Sequence, residues 1–163
     1  MYIVEIGILY NQAPLVNVGF YRKNEVLSDR IKNQIFLAIF NMFSEIFRDN
    51  LRKLKMDDYT VLFYGFNPRD DGELENKGDA RDNLALNYTI VDLENDRLSP
   101  EFLEIVETKM VALSETFKKA ISEDEKFITS SDEDFDNFRG AIVNIFKDLL
   151  KTPEERFKSL WKK

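Results

Sequence analysis

The chain of 163 residues contains no cysteine and no histidine. Without cysteine there are no disulfides, no thiolate metal sites and no cysteine nucleophiles, and a cytoplasmic protein is expected. Without histidine the commonest general base, the commonest zinc ligand and every Ser-His triad are excluded. Glycine is scarce, six residues in all, and no glycine cluster leads through a lysine into a helix as a phosphate-cradling loop requires. Positive charge is in deficit: 23 Lys and Arg against 30 Asp and Glu give a formal charge of −7. Nucleic acid and anionic membrane surfaces both call for a basic stripe, so neither is an expected partner. Lys158, Lys162 and Lys163 come nearest to a local basic patch. No apolar run approaches the ~18 residues of a spanning helix, so no stable membrane insertion is expected. Met1 leads straight into a strand pattern with no basic segment before it, so no N-terminal signal is expected either.

What the chain has in quantity is apolar surface. Hydrophobic residues make up 44% and aromatic residues 13%, with 14 phenylalanines. A chain of this length buries about 70% of its unfolded surface and stands as a single domain without staples. The stretch from Ser28 to about Met56 reads as one long helix. Ile31, Ile35, Ala38, Ile39, Met42 and Ile46 recur at helical spacing. Beside them runs a second stripe, Phe36, Phe40, Phe43 and Phe47 with Leu51. Together the stripes span roughly 200° of the circumference, against the usual ~100° of an amphipathic helix. Such a helix must bury two sides. Ser28 suits the N-cap, Asp29 the first turn, and Arg52, Lys53 and Lys55 the negative end of the dipole.

Around this helix the rest falls into strands and further helices. Tyr2 to Tyr10 and Leu15 to Tyr21 read as an antiparallel hairpin joined by Asn11, Gln12, Ala13 and Pro14. Tyr59 to Phe66 is a third strand and Asn83 to Leu93 a fourth. Between them, residues 67–82 carry six acids against three bases with no period, which reads as a mobile loop. Ser99, Pro100 and Glu101 are a helix start, and Phe102, Val106, Met110, Leu113, Phe117 and Ile121 hold its stripe. An acidic connector over 122–136 precedes a helix marked by Phe135, Phe138, Ile142, Ile145 and Leu149. Thr152, Pro153 and Glu155 open a short last helix ending in Phe157, Leu160 and Trp161. The order is β-β-α-β-β-α-α: a small antiparallel sheet with the long helix on it and additional C-terminal helices, class α+β. Residues 1–122 form the α+β domain and 123–163 a helical extension packed on it.

Chemistry is hard to find. Asp132, Asp134 and Asp136 alternate like the first ligands of an EF-hand, but Asn137 stands in place of the turn glycine and Val143 in place of the bidentate glutamate. A solvated helix N-terminus explains these acids better. Asp70, Asp71, Glu73 and Glu75 read as a charged loop tip, and Asp57 and Asp58 as a helix stop. Gly7 and Gly19 fall opposite one another in the predicted hairpin, where close packing is the simplest role. No catalytic residue, metal or cofactor is expected. The unspent driving force is the phenylalanine stripe: four exposed phenylalanines would exceed what a soluble monomer shows. Either the C-terminal helices cover Phe36, Phe40, Phe43 and Phe47, or a second subunit does. Phe157 and Trp161 divide in the same way between core and partner contact, so these six residues are the interface candidates.

The strand YIVEIGILY, the turn, the strand APLVNVGFYR, the helix IKNQIFLAIFNMFSEIF and the segment YTIVDLEND before a helix from Ser99 resemble the longin and roadblock superfamily. The phrase EIGILYNQAPLV is similar to its first hairpin. The resemblance covers about Tyr2 to Ile121. It implies a five-stranded sheet with three strands after the long helix, where the residues themselves give two. It also implies a non-catalytic scaffold that forms homo- or heterodimers and binds or regulates a small Ras-like GTPase, or serves vesicle trafficking and tethering complexes. From the residues alone, an α+β small-molecule sensor with an aromatic-lined pocket is the alternative.

Overall fold

The computed structural model describes residues 2–10, 13–20, 29–47, 51–56, 59–68, 85–92, 99–123 and 132–150. Five strands are present: β1 (Tyr2–Tyr10), β2 (Ala13–Gly19), β3 (Lys53–Lys55), β4 (Tyr59–Phe66) and β5 (Ala85–Asp92). They form one antiparallel sheet in the order β2-β1-β5-β4-β3. The helices are α1 (Asp29–Phe47), α2 (Pro100–Glu123) and α3 (Asp132–Phe146), with a 3-10 turn over Lys147–Leu149. The class is α+β.

Two expectations need correcting. The long helix ends at Phe47 and does not reach Met56; Lys53–Lys55 is an edge strand paired with Thr60–Leu62. Its alternation is exposed, half-buried, exposed, so only Leu54 carries an apolar signal. Lysines on a short edge strand discourage further pairing by other chains, and they made the segment look like a helix end. Gly7 and Gly19 also do not face each other: Gly7 pairs with Asn17 and Tyr88, and Gly19 with Glu5.

The helices cover both faces of the sheet. Along β1, Ile6, Ile8 and Tyr10 point to the face where Val106, Met110, Leu113, Phe117 and Ile121 of α2 pack with Phe138, Ile142 and Phe146 of α3. Leu9, with Leu86, Tyr88 and Ile90 of β5 and Val61 and Phe63 of β4, points to the other face, where α1 lies. Period-two alternation on a sheet with two apolar covers gives strands that are apolar nearly throughout. All eight residues of β5, the central strand, are buried. Val4 is an extra residue between the pairs Ile3–Val91 and Glu5–Ile90. This bulge turns Ile3 to the α2 and α3 side while Val4 packs on the α1 side.

Local chemistry fixes the helix boundaries. The Ser99 hydroxyl accepts from the Phe102 N–H at 3.2 Å, with Pro100 at the first helical position. Lys109 of α2 donates to the Ile145 carbonyl at 2.6 Å and pairs with Asp148 at 2.7 Å, so one side chain closes the C-terminal end of α3. Thr152 and the last expected helix lie outside the described residues, as do residues 69–82 of the acidic loop.

Candidate functional site

At their described residues the two stripes of α1 part: Phe36 and Phe40 lie in the core, Ile31, Ile35, Ala38 and Met42 are exposed, and Ile39 is half-buried against the core. Phe36 and Phe40 are 6% and 2% exposed. The Phe36 ring lies 5.6 Å from Phe63 and 5.2 Å from Tyr88, both edge-on, and Phe40 lies 6.5 Å from Phe63. Such contacts add to the ~1.5–3 kcal/mol that burial of each side chain contributes. The rings pack on one another. Gly65 gives Phe40 its seat: a β-carbon there would meet the ring tip at 2.7 Å. Neither of the proposed covers applies to this pair. The cover is the sheet itself, on the face opposite α2 and α3. Phe36 and Phe40 are therefore core residues and not interface residues. Phe43 and Phe47 belong to α1, but their side chains fall outside the described residues, and so do Phe157 and Trp161.

A polar seam ties the start of α1 to the sheet. Lys32 lies 2.6 Å from both oxygens of Glu5, and the Tyr88 hydroxyl donates to Glu5 Oε1 at 2.6 Å. Tyr88 stretches across its strand partner Gly7, where a β-carbon would collide with the ring. A carboxylate, an ammonium and a phenol in one network suggest proton chemistry, but Tyr88 is fully buried and Glu5 and Lys32 mostly so. A substrate cannot reach the phenol, and the network acts as a tether. Beside it, Asn33 is 1% exposed and neither of its amide atoms has a hydrogen-bond partner. An unsatisfied buried amide opposes the packing of this end of the helix.

The outward face of α1 carries the other stripe. Ile31, Ile35 and Met42 are 47%, 41% and 47% exposed, and Ala38 between them is exposed too. Their spacing of four, three and four residues is that of the a and d positions of a coiled-coil seam. This is the surface that sequence reasoning did not single out, although all four residues were part of the stripe it recognised. The 4-3-4 spacing was the available signal.

Next to the start of this seam runs β2, the outer strand on its side of the sheet. The Phe20 N–H donates to Val4 O, so Val16 and Val18 bond to β1 and Asn17 and Gly19 direct their backbone groups outward. The strand APLVNVG carries no charge, unlike the lysine-bearing edge at β3. Among the described residues no strand pairs with the outer side of β2, and an uncharged edge of this kind is a template for another strand.

The remaining acidic candidates are spread out. Asp132 and Asp134 lie in the first turn of α3, and Asp136 pairs with Arg139 at 2.6 Å. Among the described residues no group of three or more acids, histidines or cysteines is placed to hold a metal ion. None of the described helices is long and apolar enough to cross a membrane. No protein-family model matches this chain, and comparison with curated proteins gives no significant match.

Proposed function

We propose that this chain is a non-catalytic interaction module that pairs with a second copy through the outer face of α1 and the open edge of β2. The paired module is a scaffold that engages a small Ras-like GTPase, in regulating its nucleotide state or within a trafficking or tethering complex. One observation carries the pairing: Ile31, Ile35, Ala38 and Met42 form an exposed apolar seam at coiled-coil spacing on a helix whose other face is already buried. A contiguous exposed apolar seam on a helix face is the kind of surface that marks an interaction site.

The GTPase part rests on the likeness to longin and roadblock domains. The five-stranded sheet, with three strands after the long helix, agrees with what that likeness implies. The absence of histidine and cysteine from the chain suits a surface whose work is recognition. The test is binding of the purified chain to small GTPases from its own source, each loaded with GDP or a non-hydrolysable GTP analogue, by biolayer interferometry. The expected result is saturable binding to at least one of them with a preference for one nucleotide state. Failure of every GTPase in both states removes this part of the proposal and leaves the pairing surface standing.

A further inference from the structure

β3 covers only part of the outer edge of β4. Its three residues pair with Thr60, Val61 and Leu62, and the last bond of the ladder runs from the Phe63 N–H to the Arg52 carbonyl at 2.8 Å. Backbone direction alternates along a strand, so Gly65 aims its N–H and C=O at the same edge. Among the described residues nothing pairs with them. Leu51, just before Arg52, packs into the core beneath α1. Beside the uncovered stretch opens a cavity of about 170 Å³, lined by Arg52, Tyr64, Gly65, Glu107, Met110 and Val111 among others. Met110 is buried, Val111 is exposed, and Arg52 and Glu107 are exposed residues of opposite charge.

We propose that this notch takes an extended segment of a partner protein, added to the sheet as a short strand in line with β3. Three features point to that occupant. Outward backbone groups at a sheet edge are satisfied best by another extended backbone. A cavity of ~150 Å³ accepts a benzene ring, so this one holds a single aliphatic or aromatic side chain from the added strand. Arg52 and Glu107 then select an acid on one side of that anchor residue and a base on the other. The notch involves α2 and the β3 end of the sheet, so it is separate from the seam on α1 and independent of the GTPase reading.

The experiment is selection of a random phage-displayed peptide library on the full chain. The enriched peptide is then measured by fluorescence anisotropy and by amide exchange. Val111→Glu, at an exposed position, weakens binding by about tenfold or more, as a charge at the centre of a small interface does, and Ile35→Glu leaves it unchanged. Glu107→Lys weakens peptides that carry a base beside the anchor, and the Gly65 amide gains protection when peptide is added. Equal binding to Val111→Glu, unchanged exchange at Gly65, or no enriched sequence overturns the proposal. Self-association of the wild type that Val111→Glu abolishes also overturns it, by giving the notch to a second copy.

Discussion

At the scale of single residues, the molecule depends on a few close approaches on the α1 face of the sheet. Tyr88 lies across Gly7 and donates to Glu5, which also holds Lys32. Tyr88→Phe keeps the ring and removes the hydroxyl, and urea unfolding is expected to show a loss of about 1.5–3 kcal/mol, the range for a hydrogen bond to a charged group. The glycines separate by what a methyl group would meet. Gly65→Ala pushes on the Phe40 ring and is expected to cost about 1–3 kcal/mol. At Gly140, in the exposed middle of α3, a β-carbon meets nothing within 4 Å. There Gly140→Ala is expected to stabilise by about 0.5–1 kcal/mol through helix propensity. Asp148 gives a pH signature. The hydrogen bond from Lys109 holds its carboxyl below the ordinary value of 3.8, and the nearby Lys147 acts in the same sense. A carboxyl depressed on folding stabilises at pH values above its unfolded pKa, and that contribution is lost as pH falls through the folded one. Asp148 is well exposed, so the effect is small. Asp148→Asn should therefore flatten the stability profile slightly below about pH 4 and lower stability slightly at neutral pH.

At the scale of elements, the two faces of α1 should respond oppositely to the same truncation. Phe40→Ala leaves a hole beside Gly65 and Phe63 and is expected to cost about 3–5 kcal/mol. Ile35→Ala, on the outer face, should change the stability of the isolated chain by no more than about 0.5 kcal/mol, measured by denaturant unfolding at a concentration where it is monomeric. The sequence identified α1 as the element with two apolar sides but did not say which side the sheet would take. The answer depends on shape: rings fit where Gly7 and Gly65 leave room, and those glycines are the signal that marks the phenylalanine side as inward. The hairpin, β4, β5 and the capped start of α2 were legible because their alternation and punctuation are strong. β3 was not, because three residues with two lysines carry no period, and its place is set by pairing with β4. The almost unbroken apolar run of β1 marks a strand covered on both faces, but the sequence does not say which helix takes which face, since α2 and α3 each show one ordinary apolar stripe.

At the scale of the whole molecule, both covered faces of the sheet are satisfied, and what is left over lies at the periphery. One such surface is the apolar seam of α1 with the uncharged edge of β2, and the other is the notch where β3 stops short. On a chain with a formal charge of −7, recognition of other proteins is the function we propose for these surfaces. The central claim is that the outer face of α1, and not the phenylalanine face, is where a second copy binds. It is tested most directly by light scattering behind a sizing column on the wild type, Ile35→Glu and Phe40→Glu. The account predicts a wild type at twice the 19.2 kDa chain mass, a folded monomer for Ile35→Glu, and an unfolded or aggregated Phe40→Glu. A monomeric wild type, or an Ile35→Glu protein that remains a dimer, would contradict it.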